Sequence, residues 1–290
     1  MNSKTFPLYR HSGKFCIHGP VLALIVPILA AFPLGFAYSY LLKWIPFVYL
    51  NVLLTVGYGF VFGLLTCWLL KVGKVRNNAL AAIFGVWAGL AALYFQWNGH
   101  IHSLFEGAPI LLMPDQIFSV MKAIYQEGTW GLRSGGNITG IPLAIVWIVE
   151  AGIIVGMSAF FPYAMISSVP FCEQTRCWLD EEKIISTFET FTQPAHIEAL
   201  QARDLSPLSQ AKPKLPGASE FGRLTVKYSA KCNEFCTATI ANVSVSVDSE
   251  GNNKETVDEL ISEIVLPKSF FEFLEKFENL KAPPPQLADY

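Results

Sequence analysis

The stretch that decides the fold runs from residue 20 to residue 42 and reads PVLALIVPILAAFPLGFAYSYLL. It contains no Asp, Glu, Lys, Arg or His. Because a helix rises 1.5 Å per residue, roughly 20 apolar residues cross the ~30 Å hydrocarbon core of a bilayer. The stretch therefore predicts a membrane-spanning helix, in which Pro27 and Pro33 are expected to cause kinks.

Three further stretches have the same character in a chain of 290 residues that is 52% hydrophobic and only 15% charged. The four predicted spans cover residues 20–42, 46–70, 78–97 and 142–168. We therefore expect an α-helical membrane protein with an approximately four-helix transmembrane bundle in residues 20–168. A segment of residues 1–19 precedes this bundle, and a small α+β domain of residues 169–290 follows it.

The distribution of Lys and Arg predicts the orientation of these spans. The first 19 residues and the loop after the second span are basic and contain no acidic residue. Their basic residues are Lys4, Arg10, Lys14, Lys71, Lys74 and Arg76. Since cytoplasmic segments carry the excess of positive charge, we expect both termini in the cytosol and the chain in a plasma membrane, the bacterial inner membrane.

The C-terminal domain is acidic, although the whole chain has a net charge of only −2. Residues 169–290 contain 12 Lys and Arg against 19 Asp and Glu. Such a surface disfavours nucleic acid and anionic lipid head groups as partners. Besides the lipid bilayer, the expected partner is therefore a protein.

Small residues four positions apart recur in three of the spans. Such pairs let a second helix approach closely. They predict a tightly packed bundle, formed either within one chain or between the subunits of a homo-oligomer. The pairs are Gly59 and Gly63, Gly85 and Gly89, and Gly152 and Gly156.

The long loop of residues 98–141 contains an amphipathic pattern. Pro114 with Asp115 is typical of a helix start and Gly128 of a helix end. The pattern predicts a helix that lies in the membrane interface or caps the bundle, and a lid over a site is the alternative. Its apolar arc is formed by Ile117, Val120, Met121 and Ile124.

In the C-terminal domain, residues 180–182 followed by Ile184, Phe188 and Phe191 predict a helix that ends at Pro194.

Residues 205–219 resemble a linker, and alternating apolar residues predict strands at 224–228 and 243–247. Residues 255–266 fit either a strand or a helix, and Pro267 is expected to begin an amphipathic helix.

Four cysteines of this domain come in two short-spaced pairs. Tetrahedral zinc sites are commonly assembled from two such pairs, and a small domain gains folding energy from a metal. The spacings, with four and three intervening residues, depart from the usual two. One structural zinc ion, ordinary packing of small side chains and a redox pair all remain open. The candidate ligands are Cys172, Cys177, Cys232 and Cys236.

Glu150 is the one ionisable residue inside a predicted span. A carboxylate at mid-bilayer costs about 2.5–3.5 kcal/mol on insertion scales, so it is expected to face the bundle or a watery cavity. It is either a proton or cation site or a structural hydrogen-bond acceptor from Trp147, a tyrosine or the backbone.

His100, His102 and Glu106 follow the third span on the predicted outer face. On a strand, the two histidines would point the same way and could form a metal or catalytic site. An ordinary interfacial loop is the alternative.

The sequence contains no GxxxxGK phosphate loop, no GxSxG elbow and no HExxH motif. We therefore favour a non-enzymatic anchor, assembly or regulatory component whose acidic domain binds a protein partner. One alternative is a small oligomeric transporter or channel that uses Glu150. A second alternative is a membrane enzyme with an outer-face site.

Overall fold

The computed structural model describes residues 6–45, 47–128, 137–249 and 251–271. Among them, four helices are long and apolar enough to cross a membrane, and α4 is a shorter fifth helix between the last two. The structure is therefore compatible with the predicted four-span membrane protein. The five helices are α1 (His18–Trp44), α2 (Val48–Val72), α3 (Asn78–Leu104), α4 (Pro114–Glu127) and α5 (Gly140–Ser168).

Helix α3 continues well past Trp97, where the predicted span ends. Asn98, the first polar residue after Trp97, forms hydrogen bonds with nearby backbone groups. The Asn98 side chain donates to the Tyr94 carbonyl at 3.1 Å and accepts from the Leu111 amide at 2.7 Å. Because the returning loop is hydrogen-bonded to the helix in this way, polar residues extend the helix rather than end it.

Two of the three predicted glycine pairs lie at helix contacts within the chain. The pairs of α2 and α3 both face α5, and a methyl group at Gly85 would lie only 2.3 Å from the Ser158 carbonyl oxygen. At Gly152 and Gly156 of α5, a methyl group would have no described atom within 4 Å. The predicted tight packing is therefore confirmed for α2 and α3, whereas the α5 pair has no contact among the described residues.

Helix α1 is uninterrupted through Pro27 and Pro33. Gly35 lets it approach α3, since a methyl group there would lie 2.7 Å from the Phe95 carbonyl carbon.

The predicted amphipathic helix is confirmed as α4. It begins at Pro114 and ends before Gly128, whose φ of 70° favours glycine. Ile117 and Ile124 are buried, while Phe118 is exposed. The apolar arc of α4 thus packs against the rest of the bundle.

The chain divides into two compact units, Ser12–Ser168 and Met1–His11 together with Val169–Tyr290. Of the predicted segment of residues 1–19, the described residues 6–11 group with the C-terminal domain. Its elements are β1 (Phe171–Cys172), β2 (Cys177–Trp178), β3 (Glu181–Phe188), α6 (Pro194–Gln201), α7 (Ser206–Ser209), β4 (Glu220–Tyr228), β5 (Phe235–Val247) and β6 (Asn253–Pro267).

Strands β3 to β6 form one antiparallel sheet in sequential order, and β1 pairs with β2 in a separate hairpin. Val226, Ile240 and Ile264 of the sheet form a buried core with Leu200 of α6. The strands predicted at 224–228 and 243–247 are confirmed as parts of β4 and β5. The ambiguous segment lies in β6.

The helix predicted after residue 180 is wrong, because this segment is β3. Ile184, Phe188 and Phe191 have helical spacing, but Ile184 is 48% exposed and Ile185 is buried instead. A bulge between Ile184 and Ser186 shifts the strand alternation. The segment is rich in β-branched residues and pairs along its length with β4, which overrides the helical pattern.

The segment of residues 205–219 is not a simple linker. It includes α7, and Pro213 forms a bridge with Phe188 at the end of β3. The Glu189 amide donates to the Lys212 carbonyl at 2.9 Å. Pro267 is the last residue of β6 rather than the start of a helix; residues 268–271 are helical, and the rest of that predicted helix lies outside the described residues.

Candidate functional site

Glu150 is connected to two other helices by hydrogen bonds. The Tyr38 hydroxyl of α1 donates to Glu150 Oε1 at 2.7 Å. The Thr55 hydroxyl of α2 lies 2.7 Å from the Tyr38 oxygen. Either oxygen of the Tyr38–Thr55 contact can be the donor, but the single Thr55 proton cannot be donated to Tyr38 while it is donated to the Asn51 carbonyl. The three groups therefore form a short chain of hydrogen-bonding groups that joins α1, α2 and α5.

Aromatic stacking fixes the position of this chain. The rings of Tyr38 and Tyr58 are parallel within 8° at a centroid distance of 4.4 Å. The Tyr58 hydroxyl donates to the Ala92 carbonyl at 3.0 Å, which ties the pair to α3. Of the partners considered for Glu150, the tyrosine is the one observed; Trp147 instead packs edge-on against Trp97 at 5.0 Å.

A buried polar atom lies one turn before Thr55. Asn51 Oδ1 has no hydrogen-bond partner among the described residues. The backbone carbonyl of Asn51 accepts from the Thr55 hydroxyl at 2.8 Å. Such an atom favours a bound water or ion nearby.

The two histidines lie on α3 rather than on the strand that the proposed outer-face site assumed. Because α3 continues through Leu104, they lie on a helix rather than a strand, and positions two apart point in different directions. His102 Nδ1 lies 2.9 Å from the Tyr40 hydroxyl of α1, while His100 packs edge-on against Trp97 at 5.7 Å.

Helix α4 covers an apolar pocket of about 420 Å³ between α3 and α5. Its walls include Trp97 and Trp147 from the spans and Phe118 and Met121 from α4. Among the described residues that line it, Tyr94 is the one with a titratable side chain.

The two cysteine pairs meet in the sheet-containing unit. Cys172 lies opposite Cys177 across the β1–β2 hairpin. Cys172 and Cys232 are fully buried in one small cluster, against which Cys177 packs. Cys236, at the start of β5, is buried in the adjoining sheet core.

The sulfur atoms of the second pair point to backbone acceptors. Cys232 Sγ lies 3.4 Å from the Phe235 carbonyl and Cys236 Sγ lies 3.7 Å from that of Leu266. Burial raises the pKa of the Cys236 thiol to about 12, against the opposing effect of the Lys268 charge. In the described part of the chain, no three His, Cys, Asp or Glu side chains are arranged as a ligand set for a metal ion.

Sequence reasoning found Glu150 but missed Tyr38, Thr55 and Tyr58. A signal was present, since hydroxyl-bearing residues inside otherwise apolar spans tend to hydrogen-bond between helices. The spans contain several tyrosines and threonines. The one that reaches Glu150 is determined by helix packing, which the sequence of the spans does not predict.

In the part of the chain that the structure describes, these features define a protein with four helices able to cross a membrane and a small antiparallel-sheet domain. Comparison with family models, with curated proteins and with solved structures finds no similar protein.

Proposed function

We propose that the chain is a non-enzymatic membrane anchor whose acidic sheet domain binds an extended basic segment of a protein partner. The observation that carries this proposal is the outer edge of β6. Residues 7–9 of the same chain occupy one half of that edge: the Tyr9 amide donates to the Glu263 carbonyl and the Val265 amide to the Pro7 carbonyl, both at 2.8 Å. The edge therefore accepts an added strand.

The other half of the β6 edge, residues 253–260, pairs only with β5 among the described residues. Uncovered edges present unpaired amide and carbonyl groups to a further strand. This half carries exposed carboxylates at Glu255, Asp258 and Glu259, and Val257 is 44% exposed. A docking strand would find backbone partners, an apolar contact and negative charge, which together favour a basic extended segment.

Site-specific photo-cross-linking in cells tests this proposal. We expect a photoreactive amino acid at Val257 to yield a discrete adduct between this chain and a second protein. The same group at Leu215, which is 61% exposed in a loop, is the matched control and should yield none. Reversing the charges at Asp258 and Glu259 should weaken the adduct.

Equal adducts at both positions, or no adduct at Val257, would contradict the proposal. A cross-link from Val257 to the chain's own C-terminal residues, identified by mass spectrometry, would also contradict it, because the edge would then be covered internally.

For this function we place both termini in the cytosol of a bacterium, with the bundle in the inner membrane. The basic loop after α2 supports this orientation through the excess of positive charge expected on the cytoplasmic side. A cysteine introduced at Lys74 should resist a membrane-impermeant thiol reagent in intact cells, while one at Gln126 should react. The reverse labelling pattern would overturn the orientation.

A second candidate function, a small oligomeric transporter or channel, is favoured by the Glu150 chain of hydrogen bonds. Four spans are few for a transporter, so several copies would have to form the path. Glu150→Gln should abolish proton or cation flux into proteoliposomes. Tyr94→Phe, which removes a hydroxyl bonded to the Leu111 carbonyl, should leave it unchanged. Equal flux in wild type and Glu150→Gln would exclude this function.

A further inference from the structure

The β1–β2 hairpin is too short to be stabilised by its own hydrogen bonds. Each strand has two residues, and even longer isolated hairpins are marginal in water. Its cluster consists of Cys172, Leu179 and Cys232, with Cys177 and Phe235 packed against it. Three of these five side chains are thiols, and the hairpin is also held by the hydrogen bond from the Phe171 amide to the Tyr9 hydroxyl at 2.8 Å. A metal ion bound by the thiols would add a link between the hairpin and the turn before β5.

The fold brings the two cysteine pairs together although about 55 residues of chain separate them. Cys172 and Cys177 face each other across the hairpin. Cys232 ends a turn in which its amide donates to the Ser229 carbonyl at 3.1 Å, and Cys236 opens β5. Each pair thus sits on a local turn. Cys172, Cys177 and Cys232 share one small cluster, while Cys236 lies in the adjoining sheet core. Four-thiolate zinc sites are commonly assembled from two such short-spaced pairs.

We propose that the four cysteines of this region bind one structural zinc ion, which joins the β1–β2 hairpin to the turn before β5. The ligands are Cys172, Cys177, Cys232 and Cys236. On binding, each thiol releases its proton to solvent and contributes a thiolate, and the ion is not reduced or oxidised.

The turn between Cys172 and Cys177 closes without a glycine. Arg176 takes a left-handed conformation with φ of 53° just before Cys177, so the hairpin closes without glycine. Thr175 Oγ1 lies 3.0 Å from Cys177 Sγ and can donate to its thiolate. The Sγ atoms of Cys232 and Cys236 face the Phe235 and Leu266 carbonyls in this structure, so binding of the ion requires both side chains to rotate about their Cα–Cβ bonds.

The test is the metal content of the full chain, purified in detergent without chelator and analysed by mass spectrometry of the elements. We expect about one zinc per chain in the wild type. Cys172→Ser and Cys232→Ser should lose most of it. Cys16→Ser, which changes a partly buried cysteine of the helical unit, should retain it.

Because the serine variants could fail to fold, a second measurement uses only the wild-type protein. Alkylation should leave four thiols protected until a chelator is added, and cobalt supplied in place of zinc should give the ligand-field and sulfur-to-cobalt bands of a tetrahedral thiolate site.

Three results would overturn the proposal. The first is that the wild-type protein contains no zinc and its thiols alkylate equally with and without chelator. The second is the detection of disulfide-linked peptides from these cysteines, and the third is the presence of a metal other than zinc. Equal zinc loss in Cys16→Ser would also overturn it, because the ion would then not depend on these four ligands.

Discussion

The contact between α3 and α5 depends on a glycine that cannot accept a methyl group without moving a helix. At Gly85, an added Cβ would lie 2.3 Å from the Ser158 carbonyl oxygen and 2.6 Å from the Ala159 Cα. A carbon–oxygen contact needs at least about 3.3 Å, so Gly85→Ala forces the helices apart locally by about 1 Å.

The cost of this displacement follows from known effects of overpacking. Inserting a methyl group into a packed contact costs about 1–3 kcal/mol. Replacing glycine by alanine in a helix returns up to about 1 kcal/mol through backbone entropy. We therefore expect Gly85→Ala to lower the free energy of unfolding by about 1–2 kcal/mol. Reversible unfolding of the full chain in mixed detergent, followed by far-ultraviolet circular dichroism, measures this difference.

Gly156→Ala is the matched control, because a methyl group there has no described atom within 4 Å. It should leave the stability unchanged or raise it slightly. Equal stability of Gly85→Ala and wild type would refute the packing argument, as would equal losses in the two variants. If two copies meet through the α5 pair, Gly156→Leu should reduce the dimer fraction without lowering the stability of the monomer.

Three further predictions concern hydrogen bonds and charge. Tyr38→Phe removes the donor to the partly buried Glu150 carboxyl and should cost about 1–3 kcal/mol of unfolding free energy in the same detergent assay. Asn242→Ala removes two hydrogen bonds to the Phe191 backbone, at 3.0 and 3.2 Å, and should speed amide exchange in residues 189–193. Burial raises the pKa of Glu263 above its ordinary 4.5, against the effect of a nearby lysine. The folded state therefore holds this proton more tightly, so stability falls as pH rises from 4.5 through the raised pKa, and Glu263→Gln should flatten that decline.

Each of these predictions has a control within the chain. Tyr58→Phe loses only a bond to a neutral carbonyl, so it should cost less than Tyr38→Phe. Ser246→Ala removes an exposed bond and should leave residues 189–193 unchanged. Asp258→Asn, at an exposed position, should keep the decline with pH. A control that changes as much as its partner variant would contradict the corresponding explanation.

Long uncharged stretches were sufficient to predict the helices of the bundle, because hydrophobic length is a local property. The end of α3 was not predictable in the same way, since Asn98 is satisfied by Leu111 from a later loop. The strand β3 was missed for a related reason. Ile184 and Phe188 fit a helical face locally, and only pairing with β4 and a bulge make the segment a strand.

The candidate sites also combine features that the sequence predicts with features that depend on the fold. Charge inside an apolar span identified Glu150, but its partner Tyr38 is 112 positions away in the chain and could be found only through helix packing. The cysteine spacing identified two pairs, and the fold brings Cys172, Cys177 and Cys232 to one cluster with Cys236 in the adjoining sheet core. His100 and His102 were expected to point the same way because a strand was assumed there. The segment is instead the last part of α3, so the two side chains point in different directions.

The first described residues connect the features on which the two proposals rest. Residues 7–9 cover the second half of the β6 edge, and the Tyr9 hydroxyl accepts from the Phe171 amide of the β1–β2 hairpin at 2.8 Å. One short segment therefore holds the hairpin and limits the open edge. A docking strand can extend only along residues 253–260 before it meets this segment, so the bound part of a partner should be about eight residues long. That length is enough for a specific register, because Val257 and the carboxylates beside it distinguish one alignment of side chains from a shift by one residue.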